Sequence, residues 1–236
     1  MNPSMHPAEY DHAWECPATR AAWGRHMAMT IAGQAGWIAA FPALLYVMVV
    51  FTSPAWVVIF APIILYSLYR MVNQAGYFPW AFRMRRILRQ YPWRVLQDVP
   101  RSLSQHPEAR DKGAWLEFRN PAAPGQKVPL VFVRRQRAHW WLKRIGHART
   151  KPDLKSQIEP VWFAGDPRFL GVIAAPGRGG KEPRRLHVLF QRPVFDRRRA
   201  PESWEADSAD IERARRAGAL YLDDAVQPFG PGDEGT

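Results

Sequence analysis

Four groups of residues in this sequence are of types that can do chemistry. The first is "IAAPGRGGKEPRRLHVLF" (173–190), in which glycines, a lysine and a basic tail are the ingredients of a phosphate cradle. A P-loop needs G-x-x-x-x-G-K-[ST], because the first glycine permits the tight loop and the final hydroxyl holds magnesium. Gly180 and Lys181 match the end of that pattern, but Ala175 stands in the first position and Glu182, whose carboxylate repels phosphate, in the last. Pro183 and the "RRLHVLF" behind it also deny the helix whose N-terminus would face an anion. The stretch therefore reads as a loop joining two strands, 168–175 and 184–192, rather than as a nucleotide site.

The second group is acid/base and nucleophilic. Asp153, Glu159 and Asp166 carry carboxylates, but no spacing ties any two together, and salt bridging among so many arginines is their default role. Ser156, His139, His147 and His187 form no nucleophile motif, and histidines beside tryptophan read first as packing residues at a sheet rim. The third group, His6, Glu9, Asp11, His12, Glu15 and Cys16, consists of ligand-type residues whose spacing matches no metal template. No catalytic residue, cofactor or metal is expected. With one cysteine, no internal disulfide forms within a single chain.

The fourth group is basic and aromatic. Arg134, Arg135, Arg137, Lys143, Arg144, Arg149 and Lys151 interleave with His139, Trp140, Trp141 and His147. Stacking aromatics in a basic groove suit single-stranded nucleic acid, whereas Trp at an interface with Arg on phosphate suits phospholipid head groups. The third reading is buried tryptophans with arginines on a solvated face. Lipid or an acidic partner is preferred to nucleic acid here, because the chain carries its own tether.

That tether lies upstream. Residues 30–51, "TIAGQAGWIAAFPALLYVMVVF", run 22 residues without a charge, and "PAWVVIFAPIILYSLY" (54–69) follows after two. At about 1.5 Å per residue against a bilayer core of about 30 Å, the first run can span, and the second can if Arg70 snorkels outward. Polar residues before the first run argue against a cleavable signal. Arg20 and Arg25 precede the first span and Arg70, Arg83, Arg85, Arg86, Arg89 and Arg94 follow the second, while the Thr52–Ser53 turn is uncharged, so both termini are expected on the cytoplasmic side of the inner membrane. Ala32, Gly36 and Ala40 form one small-residue row and Ala35, Ala39 and Ala43 another, suited to close packing on the second span or on a second copy of the chain. Pro42 and Pro62 fall at similar depth, but without an intramembrane charge they suggest no transport path.

Next, "GYFPWAFRMRRILRQYPW" (76–93) puts Trp80, Met84, Ile87, Leu88 and Tyr91 on one helix face and Arg83, Arg86 and Arg89 on the other, with Arg85 flanking. It reads as an interfacial helix on an anionic inner leaflet, in preference to plain continuation of the second span. Residues 114–120, 128–135, 158–165, 168–175 and 184–192 then read as five short strands of an antiparallel sheet or barrel, with 136–157 open between strand and helix. Ser208 or Asp210 is expected to cap a helix through Ala217 that Gly218 ends, and "QPFGPGDEGT" is expected to be disordered.

The expected organisation is an irregular segment (1–29), a transmembrane helical hairpin (30–72), a basic amphipathic helix and linker (73–97), an α+β or mainly antiparallel β cytoplasmic domain (98–199) and an acidic tail (200–236). Residues 1–199 hold 30 Lys and Arg against 12 Asp and Glu, and residues 200–236 hold 3 against 9, which divides the net +12 into +18 and −6. An anionic membrane face, nucleic acid or the tail itself can each answer the basic body. With its polar head, two spans and "YPWRVL", "WLEFRNP", "IEPVWFAGDPRFLGVIAAPG" and "RRLHVLFQRP", the layout resembles small integral membrane proteins of unassigned activity common in high-GC actinobacteria. The resemblance covers most of the chain and transfers no functional residue; arginine's excess over lysine, 27 to 6, fits it. The function expected is that of a membrane-anchored, non-enzymatic adaptor for a protein partner. The alternatives are a membrane-surface enzyme with His139, His147 or His187 as base, and a tethered nucleic-acid-binding module. The candidate contact residues for lipid or an acidic partner are Arg83, Arg85, Arg86, Arg89, Arg134, Arg135, Arg137, Trp140, Trp141, Lys143 and Arg144.

Overall fold

The structure, a computed structural model, describes residues 6–51, 56–103, 114–132, 138–146, 150–177, 182–191 and 205–219. The Thr52–Ser53 turn, the glycine loop at 178–181, Arg134, Arg135, Arg137, His147, Arg149 and the tail after 219 lie outside those residues. The chain divides into two compact units, Trp23–Phe82 and the pair Met1–Ala22 with Arg83–Thr236.

Order begins earlier than the composition of residues 1–29 suggests. Two 3-10 turns, Pro7–Glu9 and Ala13–Glu15, lead into α1 (Pro17–Phe51), with a proline at its first position, where no N–H is needed. α2 (Val57–Ala75) is followed across Gly76 by α3 (Tyr77–Gln90). Within the Trp23–Phe82 unit the two arms run antiparallel: Trp23 Nε1 donates to the Ala81 carbonyl at 2.8 Å and Gln74 Nε2 donates to the Thr30 carbonyl at 3.2 Å. Farther along, the Trp37 and Tyr66 rings meet edge to face at 6.0 Å, and the Arg70 guanidinium lies 5.4 Å from the Trp37 centroid. Seven residues forward along α1 thus match seven or eight back along the other arm, a register that sets Pro42 level with Pro62. The small-residue rows are not where α1 meets α2. Ala32, Gly36, Ala35, Ala39 and Ala43 are exposed, and nothing lies within 4 Å of a Cβ placed on Gly36. Thr30, Trp37 and Gln74 make the contacts instead.

The second unit is built on one seven-stranded antiparallel sheet in the order β1-β5-β6-β7-β4-β3-β2. The five expected strands appear as β3 (Trp115–Arg119), β4 (Lys127–Phe132), β5 (Val161–Asp166), β6 (Leu170–Pro176) and β7 (Pro183–Phe190). Two more, β1 (Arg94–Leu96) and β2 (Arg101–Ser102), form the edges. Pro129 is tolerated inside β4 because the ladder to β7 covers only Val131 and Phe132, so that no neighbour asks for its missing N–H. The ambiguous stretch 136–157 contains two short helices, α4 (His139–Ile145) and α5 (Pro152–Ser156).

The sheet curls on itself. β3 and β5 are four strand spacings apart, about 19 Å if flat, yet the Phe118 and Phe163 rings stack at 4.4 Å. Across a still longer interval, Arg101 on β2 donates to Glu159, just ahead of β5, at 2.6 Å. The concave side holds Leu116, Phe118, Leu130, Phe132, Val161, Phe163, Ile173 and Leu189 with Trp141 and Ile145 of α4. A glycine pair makes the curl possible: Gly165 faces Gly171, and a Cβ on Gly171 would fall 2.3 Å from Phe163 Cε2.

The opposite face is covered too, which is why every residue of β5 is buried. Trp162 meets Trp93 edge to face at 6.2 Å and stacks on His6 at 5.3 Å. The N-terminal segment is tied there by Ala13 N–H to the Tyr91 carbonyl (2.9 Å) and by Trp93 Nε1 to Thr19 Oγ1 (2.8 Å). α6 (Ser208–Arg216) closes the set through Arg168, which ion-pairs with both Asp166 and Asp210.

Candidate functional site

The basic residues of α3 are already engaged with the fold. Its apolar face matches expectation in residues but not in partner: Met84, Ile87 and Leu88 have no exposed surface and Tyr91 keeps 5%. An interfacial helix must offer that face to lipid, and here it is covered by protein, which argues against a helix lying on the leaflet. Arg85 and Arg89 stack over Trp14, at 5.1 and 5.7 Å from the ring centroid. Arg83 is half-buried and Arg86 exposed, and both stems run close to Gly218 beyond the end of α6.

α4 splits the expected aromatic pair. Trp141 keeps 2% of its surface and packs in the concave core, 6.1 Å from Phe132, so it is withdrawn from the candidate contact surface. A seven-residue helix directs one face inward, and Trp141 shares that face with Ile145. Trp140 sits at the edge, half-buried and perpendicular to Trp141 at 5.3 Å. Two guanidinium groups lie on it: the Arg144 Cζ is 3.9 Å and the Arg185 Cζ 4.5 Å from the ring centroid. Arg144 is oriented by Nε donating to Gln157 Oε1 (2.8 Å) and Nη1 donating to the Trp140 carbonyl (3.1 Å). Arg185 was not among the expected contact residues. Only the register of β7 brings it here, since 185, 187 and 189 alternate onto one face and Leu189 marks that face as concave.

Both arginines sit in surroundings that disfavour their charge. Lost hydration comes first for each, followed by repulsion from Arg185 on Arg144 and from Arg184 on Arg185, and both are held below the usual arginine range. Arg185 is exposed along much of its length, so the lost water is that displaced at its guanidinium by the indole. Among the described residues neither Arg144 nor Arg185 forms an ion pair with a carboxylate. Lys143 is exposed one residue before Arg144.

The histidines and acids have structural surroundings. His187 keeps 2% exposure with its ring 4.6 Å from Phe132, while His139 is exposed at the start of α4. His6 and Glu9 form a capping box, Ala8 N–H to His6 Nδ1 and His6 N–H to Glu9 Oε2, and Cys16 is buried. Among the described residues no three His, Cys, Asp or Glu side chains are placed to hold a metal ion. Glu159 holds Arg101, and Asp166 holds Arg168 through Nε and Nη2 at 3.0 and 2.7 Å. For Arg168 burial pulls the pKa down, but its bonds and attraction to Asp166 and Asp210 outweigh that and raise it. At the two ends of the glycine stretch Pro176 pairs with Pro183, and Gly177 N–H donates to the Glu182 carbonyl at 2.8 Å. No protein-family model, curated protein or solved structure matches this chain.

Proposed function

We propose that this is a protein of the cell inner membrane whose helical hairpin, residues 30–72, lies in the bilayer with both termini cytoplasmic, and whose basic sheet domain is a non-enzymatic module for an acidic or phosphate-bearing partner. One observation carries it. Among the described residues, all the exposed large apolar side chains but Phe82 and Val95 fall between Met29 and Val72, on α1, on α2 or at the N-cap of α2. In water so continuous an apolar surface is a liability, whereas in lipid it is the correct solvent contact. The lengths and hydropathy of the two helices support the same reading. The arginine bias around the uncharged turn supplies the orientation, and Trp140 with Arg144 and Arg185 supplies the surface a partner would meet.

The test uses the single cysteine. In a Cys16→Ser chain, Ser53→Cys should react with a membrane-impermeant maleimide applied to spheroplasts, and Thr236→Cys should react only after lysis. The full-length chain should also stay with membranes through carbonate extraction. Recovery in the aqueous fraction, or labelling of position 236 from outside, would overturn the anchoring; substrate turnover by the purified chain would overturn the non-enzymatic part.

A further inference from the structure

We propose that Arg144 and Arg185, both stacked on Trp140 at the rim of the curled sheet, form a binding site for a phosphoryl group. The site deepens the partner surface of the preceding reading and rests on it. β7 runs from rim to core through Arg185, His187 and Leu189 on the concave side, and the residue paired with Arg185 is Ala175, which is buried in the core. α4 approaches the same core through Trp141 and Ile145, which places Trp140 and Arg144 at the edge where Arg185 emerges.

The ligand class follows from charge and geometry. Two cations are held against one indole, with no ion-paired carboxylate among the described residues and a third cation, Arg184, next in sequence. A guanidinium lying over a ring can keep its N–H edge free, and that edge binds phosphate oxygens in pairs. Gln157 and the Trp140 carbonyl take Nε and one Nη1 hydrogen of Arg144, leaving its Nη2 edge, while Arg185 brings a second edge from a different element. The two guanidinium carbons lie 3.9 and 4.5 Å from the same ring centroid, close enough for one phosphate to be reached by both edges. A dianion also relieves the repulsion among the arginines, which a neutral ligand cannot do.

The phosphate can come from a lipid head group or from a soluble compound, and the experiment separates them. Full-length protein in phosphatidylcholine nanodiscs is titrated calorimetrically with inorganic pyrophosphate. In parallel, a photoreactive phosphatidic acid analogue is doped into the discs and its crosslinks are mapped by mass spectrometry. Pyrophosphate should bind, and Arg144→Gln and Arg185→Gln should each weaken it about tenfold or more, while Arg94→Gln, an exposed charge on β1, should leave it within about twofold. Arg185→Gln is the safer variant for folding, because the side chain is exposed; Arg185→Lys, which keeps charge but loses the paired edge, should fall between. Crosslinks on α4 or β7 would assign the phosphate to lipid, and pyrophosphate binding without them to a soluble ligand. No response to either probe, equal affinity in the glutamine variants, or binding of an oligonucleotide alone would overturn the proposal. A chain that proved soluble would end the membrane reading while leaving the pyrophosphate result to stand by itself.

Discussion

Asp166 and Arg168 keep 7% and 3% of their side-chain surface, so each is tolerable only because the other is there. Taking two charges out of water costs several kcal/mol apiece, and their attraction repays it only with full hydrogen bonding, which Asp166 meets through Nε, Nη2 and the Arg168 N–H. Replacing one partner is therefore far worse than never having had the pair. Arg168→Gln should lower stability by about 3–5 kcal/mol, read as a fall in the thermal midpoint of the full-length chain, whereas Asp210→Asn, at the 26% exposed end of the network, should cost much less. Tyr91 beside it behaves in the opposite way. Its buried hydroxyl has no hydrogen-bond partner among the described residues, and burial first, then the Asp166 charge, raise its pKa. Above the ordinary tyrosine value of about 10 the unfolded chain loses this proton before the folded one does, so stability falls as pH rises through that range. Tyr91→Phe should remove that contribution, and near neutral pH it should leave stability unchanged or raise it by up to about 1 kcal/mol. Paired thermal scans at neutral and alkaline pH check both statements.

At the scale of elements, α6 is specified by its ends. Asp207 accepts from Asp210 N–H at 2.7 Å as the N-cap, one residue ahead of the expected Ser208. At the other end Gly218, at φ +97°, lets Gly218 and Ala219 N–H groups return to the Arg215 and Ala214 carbonyls, a Schellman closure. Asp207→Ala should cost about 1 kcal/mol, seen by hydrogen exchange as earlier opening of 208–216 with little change in β5 and β6. Such ends are legible in sequence because a cap is a local affair of a few residues, and the strands β3 to β7 are legible for a related reason: alternation and turn residues report directly on a half-buried ribbon. β1 and β2, three and two residues long, carry no period to read and are defined only by their pairing with β5 and β3. α3 shows the limit of periodicity. The spacing of Met84, Ile87 and Leu88 identifies an apolar face, but a helical period is the same whether that face meets lipid or protein, and only the fold, which leaves these three side chains no exposed surface, decides it. The candidate site is half visible for the same reason: Trp140 and Arg144 are one helical turn apart, while Arg185, 41 positions beyond Arg144 in sequence, reaches them by strand register.

For the molecule as a whole, the question is which solvent α1 and α2 meet, and a charge placed on their outer surface answers it. Ile63 is 45% exposed near the middle of the apolar part of α2 and one residue from Pro62, which the register sets level with Pro42. If water surrounded it, Ile63→Arg would be an ordinary surface substitution, within about 0.5 kcal/mol of neutral and favourable for solubility. In a bilayer the same arginine sits near the midplane, where insertion costs about 2.5–3.5 kcal/mol and snorkelling must cover the greatest distance. The two environments therefore predict different outcomes for one residue. The bilayer reading expects a lower fraction of chains integrated into membranes and faster degradation of the remainder, with Arg94→Gln on the sheet unaffected. Moving the substitution outward should restore integration step by step, because near the helix end the guanidinium regains the head groups. Val72→Arg, beside the arginine already present at position 70, should be close to neutral, and a graded series from 63 to 72 would trace the depth of the apolar layer along α2.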